Sequence, residues 1–179
     1  MKIYFVTSND KKFEEVKKML PGHEIIRKFM AYPEIQVDNL EEVAEFGIEF
    51  LMKRMNGNVM IEDSGLFTQA LNGFPGVYSA YVFKSIGNSG ILKLMDGVKD
   101  RKACFKSVIA FYDGEVKFFE GKCHGHISEC TRGKEGFGYD PIFIPEGCKK
   151  TFGEMKKKEK SEYSHRGKAV SKLREFLER

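Results

Sequence analysis

Two acids in succession, Glu62 and Asp63, follow the apolar run Val59-Met60-Ile61 and precede Ser64-Gly65. An ionised carboxylate set against an apolar interior has to be paired, hydrogen-bonded or bound to a metal, because an unpaired buried charge is strongly unfavourable. Asp63 is therefore positioned for chemistry, although the same residues also read as a polar turn closing a strand. Other segments carry complementary groups: Thr7-Ser8-Asn9 with Lys11 and Lys12, Glu34 just after Pro33, Lys160, and Ser164-His165-Arg166. Hard oxygen donors such as Glu34 and Asp63 suit Mg²⁺, which takes one or two protein carboxylates together with phosphate oxygens and water. Lysine and arginine neutralise the phosphate charge that remains. The inventory fits a Mg-nucleotide.

Each of these signals has an ordinary structural reading too. Asn-x-x-Lys after a strand also describes a capped helix with a solvated lysine. The run Lys156-Lys157-Lys158-Glu159-Lys160 reads mostly as a solvated face, with Lys160 the member of interest. His124 and His126 alternate onto one strand face as an ordinary surface pair would. His165-Arg166 is harder to explain away, since positive charge at a helix start opposes the helix dipole unless an anion is near.

The elements that must carry these groups follow from periodicity. Residues 2–6 read as a strand, and residues 10–20 as a helix with Phe13, Val16 and Leu20 on one face, entered through helix-capping residues. That entry predicts unsatisfied backbone N–H groups at the helix start, a ready anion site. A strand is expected over residues 23–29 and a helix over 40–55, where Leu40, Val43, Ala44, Gly47, Ile48, Leu51 and Met55 recur on one side. Val59-Met60-Ile61 suits a buried strand, or a segment of core helix. Helices over 78–86 and 89–95 split at Gly87, strands over 103–112 and 116–127 joined at Asp113-Gly114, a short strand over 142–144 and a last helix from His165 capped by Ser164 complete the order. This succession predicts an α/β or α+β domain with a mixed sheet.

At 179 residues the chain is expected to be one domain spanning 1–179. Its net charge of +4 suits an anionic small molecule as well as nucleic acid, but no basic-aromatic interleaving marks a nucleic-acid surface, so none is expected as a partner. Cys104, Cys123, Cys130 and Cys148 lack CxxC spacing and read as reduced thiols of a cytoplasmic protein. The apolar run after Lys2 is too short for a signal peptide, and no stretch has the length of a membrane helix. The glycine-rich stretch 133–141 matches neither GxxxxGK[ST] nor GxGxxG.

Taken together, the motifs resemble the inosine/xanthosine triphosphate pyrophosphatase family, hydrolases of non-standard purine nucleotides. The likeness runs through Thr7-Ser8-Asn9-Asp10-Lys11-Lys12, Tyr32-Pro33-Glu34-Ile35-Gln36, Glu62-Asp63-Ser64-Gly65, Gly73-Phe74-Pro75-Gly76, Phe137-Gly138-Tyr139-Asp140-Pro141, Thr151-Phe152-Gly153-Glu154-Met155, and Glu159-Lys160 with Ser164-His165-Arg166. The resemblance implies an elongated, two-lobed α/β domain with a central curved mixed sheet flanked by helices, an active-site cleft between the lobes, and a homodimer. It implies Mg²⁺-dependent hydrolysis of ITP, dITP and XTP to the monophosphate and pyrophosphate, which keeps these nucleotides out of nucleic acids. Carried onto this sequence, Thr7, Ser8, Asn9, Asp10, Lys11, Lys12 and Ser64 would contact the phosphates, Glu34 and Asp63 would serve the metal, and Asp63 would accept the proton. Phe137, Gly138, Tyr139, Asp140, Lys160, His165 and Arg166 would hold the base and the rest of the nucleotide. Family members outside the archaeal-looking branch often carry a lysine or arginine shortly after the Pro-Gly-x-Tyr segment and a lysine in the second helix, where this chain has Ala80-Tyr81 and Gly47.

The chemistry of the residues agrees with that implication. Phe137 offers a π-face to a purine, and Asp140 can accept hydrogen bonds from ring N–H groups. Hypoxanthine and xanthine carry an acceptor at position 6 and a proton on N1, whereas adenine has an amino group and a bare N1. Donors near His165 and Arg166 would then disfavour adenine by about 1–3 kcal/mol, the cost of a buried polar group left unpaired.

Overall fold

The computed structural model describes residues 1–33 and 35–179. The strands are β1 (Lys2–Val6), β2 (Glu24–Lys28), β3 (Asn58–Thr68), β4 (Lys102–Tyr112), β5 (Val116–Ile127) and β6 (Phe143–Pro145). They form one mixed sheet in the order β2-β1-β3-β4-β5-β6, parallel around β1 and antiparallel from β3 onward. The α-helices are α1 (Asp10–Met19), α2 (Leu40–Met52), α3 (Ser79–Leu94), α4 (Lys157–Tyr163) and α5 (His165–Leu177). The α/β class and the mixed sheet match the expectation from periodicity.

The apolar stripes seen in the sequence go where their spacing requires. Val16 of α1, Leu20 just past its end, and Ala169, Val170 and Leu173 of α5 pack against Ile3, Phe5, Met60, Ile109 and Phe111 on one face of the sheet. Leu40, Ala44, Ile48 and Leu51 of α2 cover Val59, Ile61, Val108 and Ala110 on the other. Toward the far end of β3, Leu66, Phe105, Phe143 and Phe152 join Val82 and Ile91 of α3 in a further core. Removing this much apolar surface from water, at about 25 cal/mol per Å², is the main force holding the layers together.

Two features differ from the sequence reading. Glu62-Asp63-Ser64-Gly65 is not a turn: β3 runs straight through it, paired with β4 from Val59↔Tyr112 to Thr68↔Ala103. The lysine run forms a helix of its own, α4, with Lys160 turned inward. The split expected at Gly87 is present: α3 is broken there, where a φ of 60° and a ψ of −164° lie outside helical space.

The topology also makes the crevice. Pairing of β1 with β3 stops at Phe5↔Met60, so past Met60 the β1 side of β3 has no neighbouring strand among the described residues, only an isolated bridge from Phe67 to Pro75. The chain leaves β1 through α1 on one face and returns to β3 through α2 on the other. An open α/β sheet binds its ligands at such a switch point, beyond the carboxyl ends of its parallel strands.

Candidate active site

At that opening lies a cavity of about 470 Å³. Asn9 and Lys12 from the start of α1, Asp63 and Ser64 from β3, Phe137 and Asp140 from the glycine-rich loop, Lys160 from α4 and His165 and Arg166 from α5 all reach its wall. Side chains alternate along a strand, so Glu62 and Ser64 share the face of Met60, toward α1 and α5, while Asp63 shares the face of Ile61, toward α2. The two adjacent acids therefore serve different neighbours.

Glu62 is the buried one. Its Oε2 lies 2.9 Å from Lys12 Nζ and its Oε1 lies 3.2 Å from Arg166 Nε. Ser107, on β4 opposite Ser64, donates its hydroxyl to Oε1 at 2.6 Å. Burial alone would favour the neutral acid, but Arg166 and Lys12 prevail and hold the Glu62 pKa far below the usual carboxylate range. Arg166 is kept firmly charged in return: burial opposes its charge, and Glu62 and Glu15 more than offset that. Arg166 Nη1 donates to Glu15 Oε2 at 2.6 Å and Nη2 to Ser64 Oγ at 3.0 Å. Glu15 also takes Lys160 at 3.2 Å, and Lys160 reaches Asp140 Oδ2 at 2.8 Å. Burial raises the pKa of Asp140 despite that lysine.

The cavity wall also carries aromatic rings. His165 stacks on Phe105 with ring centroids 4.5 Å apart and planes 10° from parallel. Its burial, with Arg166 next to it, pushes its pKa well below the ordinary histidine value, so the ring is neutral at neutral pH. The buried Nδ1 has no hydrogen-bond partner among the described residues, which leaves it for a ligand. Phe137 has Lys160, Arg166 and Lys11 within 4.9, 5.4 and 5.8 Å of its ring centroid. Its loop is anchored from several sides. Phe137 N–H donates to Asp140 Oδ2, Asn88 Nδ2 to the Gly138 carbonyl, and the buried Tyr139 hydroxyl to the Ser79 carbonyl. Gly136, at φ 73°, lies so close to Asp140 that a Cβ there would fall 2.0 Å from Oδ2. The loop thus offers a ring face and a carboxylate, and α5 a neutral imidazole, to a flat heterocycle.

Residues 3–176 match the sequence model of the Ham1 family. The chain belongs to the Ham1 family. It is 56% identical over 178 residues to the dITP/XTP pyrophosphatase of Thermococcus kodakarensis, a match covering 98% of this chain and 95% of that one. Against the dITP/XTP pyrophosphatase of Pyrococcus horikoshii the identity is 55%, over 99% and 97% of the two chains. Among solved structures it is similar to the Staphylococcus aureus Ham1 protein, with a TM-score of 0.88 and 32% identity over 99% and 98% of the chains. A nucleoside-triphosphatase / dITP/XTP pyrophosphatase from Mycobacterium abscessus gives 0.76 at 32% identity, over 97% and 98%. The family resemblance drawn from the motifs is borne out.

Most residues singled out in the sequence of this Ham1 chain meet at the cavity, with exceptions. Thr7 and Ser8 stand in the turn ahead of it: Thr7 Oγ1 accepts from Asn9 N–H and the Ser8 carbonyl accepts from Arg27. Asp10 reaches the wall but is paired with Arg27. Lys11 donates to the Gly136 carbonyl at 3.0 Å. Glu34 lies outside the described residues. The backbone anion site expected at the start of α1 is largely closed, because Asn9 Oδ1 accepts from the N–H groups of Lys11 and Lys12. The anions that offset Arg166 at the start of α5 are the protein's own, Glu62 and Glu15.

Sequence reasoning missed Glu15 and Ser107 and took Glu62 only as part of a motif. For Glu62 a local signal existed, its place directly after a buried apolar run. Glu15 had none, since its partners lie 145 and 151 positions away. His124 and His126 are exposed on β5, and no cluster of three or more metal-ligating side chains occurs among the described residues. At Gly47 a Cβ would lie 2.7 Å from the Ile61 Cδ1 atom and 3.0 Å from the Tyr32 ring, so a side chain there requires these two side chains to shift.

Proposed function

We propose that this chain hydrolyses the triphosphates of deaminated purines, ITP, dITP and XTP, to the monophosphate and pyrophosphate, and so keeps them from being built into nucleic acids. Curated relatives that match nearly its whole length carry the name dITP/XTP pyrophosphatase. The observation that carries the reading is a single cavity lined both by Lys12, Asp63, Ser64 and Arg166 and by Phe137, Asp140 and the neutral His165. The first group suits a polyphosphate and the second a purine.

In this reading the base lies against Phe137, Asp140 accepts a ring N–H and His165 supplies its Nδ1 face. Lys12, Lys11 and Arg166 offset phosphate charge, with Asn9, Ser64, Thr7, Ser8 and Asp10 shaping the approach. Water attacks the phosphorus of the future monophosphate. Its oxygen bonds to that phosphorus, the bond to the bridging oxygen breaks, pyrophosphate departs and the proton passes to a carboxylate oxygen of Asp63. The cations lower the charge on the departing pyrophosphate, where most of the barrier lies.

A divalent metal, with Mg²⁺ proposed, would be held by carboxylate oxygens of Asp63 and Glu34 and would supply Lewis-acid neutralisation of the phosphates. The donor set fits: Asp63 is a half-buried hard oxygen donor on the cavity wall, with no all-protein cage around it among the described residues. Mg²⁺ is usually bound in this way, through one or two carboxylates and the substrate's own phosphates. The assembly proposed is a cytoplasmic homodimer, to be checked by sedimentation equilibrium. No helix among the described residues is long and apolar enough to cross a membrane.

A panel of nucleoside triphosphates scored for pyrophosphate with and without Mg²⁺ tests the activity. ITP, dITP and XTP should yield pyrophosphate only with the metal, and Asp63→Asn should lose about 10²–10⁴-fold in kcat while keeping its circular dichroism spectrum. Release of orthophosphate would sink the assignment.

A further inference from the structure

The charges behind the cavity form an unbroken series of alternating sign, Lys12, Glu62, Arg166, Glu15, Lys160 and Asp140, each touching the next. Their spacing alternates as well. Lys12–Glu62 is 2.9 Å, Arg166–Glu15 is 2.6 Å and Lys160–Asp140 is 2.8 Å, whereas the two links between these pairs are both 3.2 Å. The chain is therefore resolved into three close ion pairs. Its ends, Lys12 and Asp140, both reach the cavity wall.

A series of this kind has a second arrangement, in which Glu62 pairs with Arg166 and Glu15 with Lys160 while the two ends, Lys12 and Asp140, are released to ligands that take the place of their lost partners. We propose that substrate shifts the series by one place, and that Glu15 is the positioning residue that carries the shift between the polyphosphate and the base. The inference rests on the function proposed above and deepens it. A polyphosphate draws Lys12 toward itself. Glu62 then leans on Arg166, Arg166 loosens from Glu15, and Glu15 takes Lys160. Asp140 loses a donor in consequence and turns its acceptor capacity to a ring N–H. In a site of low dielectric each step is felt strongly over a few tenths of an ångström.

Two properties follow. Occupation of the phosphate end tightens binding at the base end, and by linkage the base tightens phosphate binding by the same factor. The gain is reserved for purines that bring a hydrogen on N1 to Asp140. Adenine lacks it and gains nothing, so discrimination is made at the moment when the triphosphate is in place.

The test is calorimetric binding of inosine with and without saturating inorganic triphosphate, in EDTA so that no hydrolysis occurs. In the wild-type protein triphosphate should tighten inosine on the order of tenfold, and should leave adenosine unchanged. In Glu15→Gln each ligand should bind alone, with the tightening reduced to about onefold. Glu15→Asp keeps the charge on a shorter stem that cannot span both cations, so it should lose the effect too; it also answers the case in which Glu15→Gln does not fold. A purely structural role for Glu15 would weaken inosine by itself and leave the ratio intact. That result, or a wild-type ratio near one, overturns the proposal. Pyrophosphate release from ITP, measured in parallel, separates the two readings: turnover without coupling sinks this inference alone, whereas neither turnover nor inosine binding sinks both.

Discussion

Glu62 shows why burial and charge have to be weighed against each other at a single residue. Its carboxylate has no exposed side-chain surface and survives as an anion only because Lys12 and Arg166 flank it and Ser107 donates to it. Breaking a buried ion pair from one side strands the partner, which costs about 3–5 kcal/mol. Glu62→Gln is expected to lose stability on that scale at pH 7, measured by urea unfolding, with a larger loss in kcat/KM because Lys12 and Arg166 are misplaced. Ser107→Ala should cost less, about 1–3 kcal/mol, because one hydrogen bond goes and the charges remain.

Among the elements, α5 decides the most, because its first turn delivers His165 and Arg166. It lies directly on β5 at Gly121, where a Cβ would be 2.0 Å from the His165 carbonyl oxygen and 2.6 Å from the Ala169 nitrogen. Both obstacles are backbone, so neither can swing aside. Gly121→Ala is expected to lift the start of α5 off the sheet, destabilise by about 1–3 kcal/mol and weaken inosine binding. Thermal unfolding and calorimetry on the same sample would check both effects. Wild-type inosine affinity in Gly121→Ala would mean that the helix start is not held by this contact. On the other side of the crevice, Gly65 meets the Gly76 carbonyl in the same fashion, with a built Cβ 2.2 Å from that oxygen.

For the whole molecule, the buried charges set how stability depends on pH. The folded-state pKa values of Glu62 and Glu15 are depressed, so below the ordinary carboxylate value of about 4.3 the unfolded chain binds more protons than the folded one. The stability these groups contribute is full above that value and lost as pH falls toward their folded pKa. The pKa of His165 is depressed too, so the unfolded state gains a proton first as pH falls through about 6.5. Stability should therefore decline in two stages on acidification, the upper removed in His165→Asn and the lower made shallower in Glu62→Gln, as read from urea midpoints between pH 7 and 3. The apolar periodicities of α1, α2 and α5 and the Asp113-Gly114 hairpin were legible in the chain because local pattern decides which face of an element is buried. Asp63, Lys12, Phe137, Asp140, Lys160, His165 and Arg166 were legible because their types and motifs name a chemistry. The continuation of β3 through Glu62-Asp63 was not, since a polar stretch becomes strand only when β4 pairs with it along its length. Nor was the partnership of Glu15 with Lys160 and Arg166, because α1, α4 and α5 converge only after the sheet has brought distant segments together, and a charge buried by tertiary packing takes whatever opposite charge that packing supplies.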